Sequence, residues 1–164
     1  MTPIELHWLS GSEEATARFG ACLARALVPP AWVGLEGPLG AGKTRLVQGI
    51  ARGLGYAGRV RSPSFVLENR YRAAVPIRHQ DLYRLDEPDE DLVAGWEEDR
   101  DSIVLVEWAD RVPDRPARSI GISLRPAGPS RRWLRLSWKP GGGVIRDLSL
   151  HALGRSGEAC PEGT

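Results

Sequence analysis

Gly37-Pro38-Leu39-Gly40-Ala41-Gly42-Lys43-Thr44 is the stretch on which the reading of this chain turns. It matches G-x-x-x-x-G-K-T, the phosphate-binding loop, and each fixed position has a physical reason. Glycines let backbone N–H groups turn inward as a nest for phosphate oxygens, and a helix starting near Lys43 adds the positive end of its dipole. Lys43 supplies a compact, mobile charge for the transferred phosphoryl group, and the Thr44 hydroxyl is placed to ligate Mg²⁺. At this chain's own residue frequencies the pattern arises by chance about 0.002 times.

The flanks agree with the loop. Residues 32–36 are a short apolar run that reads as a buried strand leading into Gly37. Beyond the loop, Leu46, Val47, Ile50, Ala51 and Leu54 recur at helical spacing, and Gly55 closes the segment. Upstream, Ser12 followed by Glu13 and Glu14, then Ala15, Phe19, Leu23 and Leu27, predicts a capped amphipathic helix that ends at Pro29-Pro30.

Downstream, residues 65–71 and 75–85 read as extended, joined by Ala73-Ala74 as a hairpin connection. Residues 87–100 read as an acidic helix, and 103–108 as a strand buried on both faces. After Pro113 and Pro116, residues 119–125, 133–138 and 144–150 are β-like, split by Pro-Ala-Gly-Pro and Pro-Gly-Gly-Gly. The expected fold is a single-domain P-loop α/β structure over residues 1–153. Its mixed sheet is centrally parallel, helices cover the faces, and antiparallel strands come from the hairpin and the C-terminal third. Residues 154–164 read as a disordered, frayed tail.

Composition bounds the function classes. The chain has 164 residues, 41% apolar and 26% charged, with a net charge of +1. These are globular values, and no apolar run approaches the roughly 18 residues needed to span a bilayer. A soluble protein with no global field for nucleic acid or lipid follows. Cys22 and Cys160 are too few for a disulfide framework and lack metal-ligand spacing, and residues 1–14 carry no leader pattern, so a reducing cytoplasm is the expected compartment. Of 22 basic residues only Lys43 and Lys139 are lysine and every other one is arginine, which makes the lysine in the loop a chemical choice.

A phosphate loop needs an acidic partner for its metal. Glu107, at the end of the buried run Ile103-Val104-Leu105-Val106, would sit beside the loop and could hold Mg²⁺ or its waters. Asp81, in His79-Gln80-Asp81-Leu82-Tyr83-Arg84-Leu85, is the second candidate, whereas His79 reads as structural. The guanine-reading N-K-x-D element of P-loop GTPases is absent, since the sole asparagine, Asn69, precedes Arg70; ATP is the expected nucleotide. A small nucleoside or metabolite kinase and a non-enzymatic, nucleotide-gated binding module are the competing readings. A kinase would need an acceptor pocket and an arginine-bearing lid. Charge is also segregated: residues 86–101 hold nine acidic residues and one arginine, while residues 111–146 hold nine basic residues and one acid. Solvated faces or a partner of complementary sign explain such runs.

An ordered set of segments resembles the TsaE-type ATPases of tRNA threonylcarbamoyladenosine biosynthesis. The set is Leu39-Gly40-Ala41-Gly42-Lys43-Thr44, then Ser62-Pro63-Ser64-Phe65, then His79-Gln80-Asp81-Leu82-Tyr83-Arg84-Leu85, then Val106-Glu107-Trp108, within residues 12–110. The resemblance implies that Lys43 and Thr44 contact phosphate and Mg²⁺, that Glu107 completes the metal site, and that Asp81 is needed for hydrolysis and contributes to the metal. Gly37, Pro38, Leu39, Gly40, Ala41 and Gly42 would line the nucleotide, with looser alignments for Ser12 and for Arg131 or Arg132. Ser64 stands where threonine is usual, keeping the hydroxyl, and Pro38 where an acidic residue is common. The role implied is slow ATP turnover coupled to TsaB-like and TsaD-like proteins that modify adenosine 37 of tRNA, so tRNA is met only through the complex. No arginine finger is assignable; Arg84 is as well placed to pair with the acidic helix.

Overall fold

The computed structural model describes residues 2–146. The order along the chain is β1 (Ile4–Ser10), α1 (Glu13–Ala26), β2 (Ala31–Glu36), α2 (Lys43–Gly53), β3 (Glu68–Tyr71), β4 (Ile77–Asp81), α3 (Glu90–Glu98), β5 (Ile103–Glu107), a 3₁₀ turn at Ala109–Arg111, β6 (Ser119–Pro126) and β7 (Arg132–Trp138). Seven strands form one sheet in the order β1-β7-β6-β2-β5-β4-β3. The inner strands β6, β2, β5 and β4 run parallel, and β7, β1 and β3 add antiparallel edges. This is the centrally parallel mixed sheet expected from the sequence.

Alternation along the central strands loads both faces. Val33, Leu35, Ile103, Leu105, Ile120 and Ile122 pack under α1 and α2, whereas Trp32, Val104 and Val106 face the other way onto Trp96 of α3 and Leu82. The α1–α2 contact is close because small residues meet there. A Cβ on Gly49 would lie 2.0 Å from the Ala17 carbonyl oxygen, and one on Gly20 would lie 2.6 Å from that of Leu46. Ser12 caps α1 by accepting from the Ala15 N–H at 3.0 Å.

Several boundaries differ from the sequence expectations. β1 was not anticipated: its alternating Ile4, Leu6 and Trp8 pair with β7 at the sheet edge in the register Trp8↔Leu134. Residues 65–67 form a turn instead of a strand, because the Pro63 carbonyl accepts from both Val66 and Leu67 N–H. The second extended stretch is only β4. It ends at Asp81, whose carboxylate accepts from the Tyr83 N–H at 2.9 Å and turns the chain out of the sheet. The acidic helix starts late, capped by Asp89 after Pro88, and ends before Asp99, whose carboxylate takes the N–H groups of Asp101 and Ser102. Of the β-like stretch 144–150, Ile145 bridges Leu27; residues 147–150 and the tail from residue 154 lie outside the described residues.

The basic stretch is not a free face. Arg118 donates to the carbonyls of Val28, Pro30, Gly142 and Gly143, Arg111 to those of Leu82 and Tyr83, and Arg132 to those of Gly40 and Ala41. Arg115 pairs with Glu36 and Arg135 with Glu5. On the acidic side Asp99 is paired to Arg78, but Glu90, Asp91, Glu97 and Glu98 remain exposed.

Candidate nucleotide site

The chain leaves β2 at Glu36 and enters α2 at Lys43 through a loop that only glycine can make. Gly37, Gly40 and Gly42 have φ of 148°, 77° and 103°, and a Cβ on Gly37 would meet the Leu124 carbonyl oxygen at 2.5 Å. Gly42 is the residue before α2, so the N–H groups of the first helical turn open into the loop. Arg132, from the hairpin above, donates through Nε to the Ala41 carbonyl at 2.9 Å and through Nη2 to that of Gly40 at 3.3 Å. Those carbonyls are thereby held outward. Arg132, not Arg131, is therefore the residue of this pair that touches the loop.

Lys43 is buried, and its Nζ donates to the carbonyls of Gly37 at 2.6 Å and Pro38 at 3.0 Å. The Trp108 ring lies over it, 3.9 Å from Nζ to the ring centroid. Burial lowers the Lys43 pKa from its ordinary value, opposed by the charges of Glu107, Asp81 and Asp110. Trp108 reaches this place because its backbone turns left-handed (φ 61°) directly after β5.

Glu107 is the last residue of β5 and only 3% exposed. The Thr44 hydroxyl donates to its carboxylate, 2.9 Å from Oε1 and 3.1 Å from Oε2. A hydroxyl and a carboxylate brought together are hard oxygen donors of the kind Mg²⁺ takes when phosphate and water supply the rest of its octahedron. The pair therefore fits that ion. Among the described residues no group of three His, Cys, Asp or Glu side chains forms a metal cage.

Asp81 lies beside Glu107 in register on the neighbouring parallel strand. Its Oδ2 accepts from the Ser62 hydroxyl and, at 3.0 Å, from the Ser64 hydroxyl, while the two serines are 2.8 Å apart. Asp81 thus holds the Ser-Pro-Ser loop, and its direct partners are that loop and the Tyr83 backbone. The loop, Asp81, Glu107, Trp108 and residues 39–45 line one cleft of about 520 Å³, with Phe65, Tyr83 and Arg84 at its rim. Phe65 and Leu39 are 85% and 77% exposed, so the mouth is unusually apolar.

Two side chains fall elsewhere than expected. Arg84 stacks over Phe65 at 4.4 Å and forms no ion pair with the acidic helix among the described contacts. Ser12 caps α1 and does not line the cleft, although its neighbour Glu13 does. His79, read as structural, is fully buried against Glu107, with Nε2 2.8 Å from Oε1. Its spacing of two residues from Asp81 on one strand was the available signal, since alternate strand residues share a face.

A P-loop, an acidic strand end and a loop-holding aspartate in this order can be compared with known proteins. The family model described as "Threonylcarbamoyl adenosine biosynthesis protein TsaE" matches residues 10–133. The chain belongs to the TsaE family. A relative from Nostoc sp., named tRNA threonylcarbamoyladenosine biosynthesis protein TsaE, is 41% identical over 119 residues, covering 68% of this chain and 73% of its own. A protein of the same name from Bacillus subtilis is 34% identical over 130 residues, covering 78% and 82%. The crystal structure of Bacillus subtilis YdiB superposes with a TM-score of 0.71 at 26% identity, covering 84% of this chain and 88% of that one. The TsaE resemblance read from the motifs is thus correct, and the fold is a P-loop nucleotide-binding fold. Among the described residues no helix is long and apolar enough to cross a membrane.

Proposed function

We propose that this TsaE-family protein binds ATP with Mg²⁺ and hydrolyses it slowly in the cytoplasm. Turnover is coupled to a complex of TsaB-like and TsaD-like proteins that installs threonylcarbamoyladenosine at position 37 of tRNA. The observation that carries the reading is the Thr44–Glu107 contact, which joins the phosphate loop to the end of β5 beside Lys43 and Asp81. On this reading Gly37 to Gly42 and Lys43 cradle the phosphates, and Thr44 and Glu107 hold Mg²⁺. Bound there, the ion would neutralise charge on the β- and γ-phosphates.

Asp81 fixes Ser62 and Ser64 at the phosphate end of the cleft, so the Ser-Pro-Ser loop is the segment whose position depends on the γ-phosphate. The apolar rim of Leu39 and Phe65 gives a partner surface beside it. Phosphate release measured with ATP alone, and with the TsaB-like and TsaD-like proteins added, tests the reading. Acceleration on assembly supports it. Turnover that requires a small-molecule acceptor would make the protein a kinase, and no release under any condition would make it a nucleotide-gated module.

A further inference from the structure

A buried polar chain lies beneath Glu107 and belongs to no part of the phosphate loop. His79 on β4 is wholly buried, with Nε2 2.8 Å from Glu107 Oε1 and Nδ1 3.0 Å from the Tyr71 hydroxyl on β3. A carboxylate only accepts hydrogen bonds, so Nε2 is the nitrogen that carries hydrogen, and Nδ1 is paired with the Tyr71 hydroxyl. Burial raises the Tyr71 pKa, which keeps that hydroxyl a donor. The same hydroxyl is 3.2 Å from the Arg61 carbonyl, at the start of the Ser-Pro-Ser loop. Hydrophobic packing would be served as well by leucine at 79, and an imidazole is expensive there unless both nitrogens have work.

We propose that His79, held from behind by Tyr71, is a positioning residue that aims the Glu107 carboxylate at Mg²⁺. The proposal rests on the reading of Thr44 and Glu107 as the metal pair. From above, the single Thr44 proton is shared between both carboxylate oxygens and fixes neither. From below, the His79 N–H selects Oε1, so the carboxylate keeps one direction when Thr44 turns its hydroxyl oxygen to the metal. Outer-shell partners of this kind commonly alter metal affinity while leaving the remaining ligand contacts alone. Because Tyr71 also reaches Arg61, the loop held by Asp81 and the carboxylate of Glu107 lean on one support.

The test measures, on the full chain, the Mg²⁺ concentration that half-maximally tightens binding of a fluorescent ATP analogue, and the analogue's affinity in EDTA. H79L should raise the Mg²⁺ midpoint about tenfold or more while changing the EDTA affinity less than about twofold. H79Q, which restores an N–H near the position of Nε2, should bring the midpoint most of the way back, and Y71F should raise it by a smaller factor. An unshifted midpoint in H79L, or equal shifts in H79L and H79Q, overturns the proposal. If H79L does not fold, Y71F decides: an unshifted midpoint there overturns it. E107Q separates the two claims, since an unshifted midpoint in E107Q removes the metal pair itself, whereas a shift in E107Q without one in H79L removes only the role of His79.

Discussion

The two walls of the cleft are built on opposite plans. One wall is the phosphate loop, eight consecutive residues whose shape comes from glycine torsions and which, on the proposed function, hold phosphate with backbone N–H groups and Lys43. The other is assembled from side chains far apart in sequence: Ser62 and Ser64, Asp81 on β4, and Glu107 on β5, with buried His79 behind it. The first is a local solution to holding anions, and the second exists only once β4 and β5 have paired. On the proposed function a division of labour follows, with affinity for the triphosphate on the loop wall and control of metal and hydrolysis on the strand wall.

The largest effect should come from the loop wall. K43A removes the buried ammonium beside the loop and should weaken ATP binding by about 3 kcal/mol, beyond a hundredfold, as read by equilibrium titration. K43R should fail as well, because the Gly37 and Pro38 carbonyls and the Trp108 face enclose an ammonium and leave no room for a planar fork. On the strand wall, D81N should lower partner-stimulated phosphate release by about a hundredfold through misplacement of the Ser-Pro-Ser loop, as read by single-turnover measurement.

Next in size is the scaffold of the strand wall. Arg78 on β4 joins Glu68 of β3 and Asp99 after α3, both at 3.0 Å. R78Q should cost about 2 kcal/mol of stability in denaturant unfolding and leave the loop wall's fold alone. Burial by itself would raise the Glu68 and Asp99 carboxyls, but hydrogen bonds from Gln80, Arg78 and Arg70 to the first, and from Ser102 and Arg78 to the second, hold both below their ordinary values. Their stabilisation is therefore present above about pH 4 and is lost as pH falls through the lowered values. Unfolding followed against pH should show a steeper acid limb for the wild-type chain than for R78Q. The smallest effect sharpens the loop wall: R132M, which frees the Gly40 and Ala41 carbonyls, should weaken ATP about tenfold without altering its Mg²⁺ dependence.

The same contrast explains what could be read from the sequence. The loop wall was legible because its chemistry is contiguous and its flanking strand and helix announce themselves by apolar spacing. Glu107 and Asp81 were legible as strand-end carboxylates, yet nothing local says that Asp81 reaches Ser62 and Ser64, or that Tyr71 and Glu107 meet across His79. Those contacts depend on the registers Asn69↔His79 and Asp81↔Glu107. Arg132 could be named only as an alternative to Arg131, since its partner Ala41 lies on a loop reached only after β6 and β7 fold back over it. Strand ends were misplaced where a side chain captures backbone, as Asp81 does at Tyr83.

Titration of a fluorescent ATP analogue in EDTA into the wild-type chain, K43A and D81N tests the division between the walls most directly. With the metal removed, only the loop wall should count: D81N should bind within about twofold of wild type, while K43A should lose binding by beyond a hundredfold. Loss of binding in D81N equal to that in K43A would contradict the account, because the strand wall would then hold the triphosphate itself.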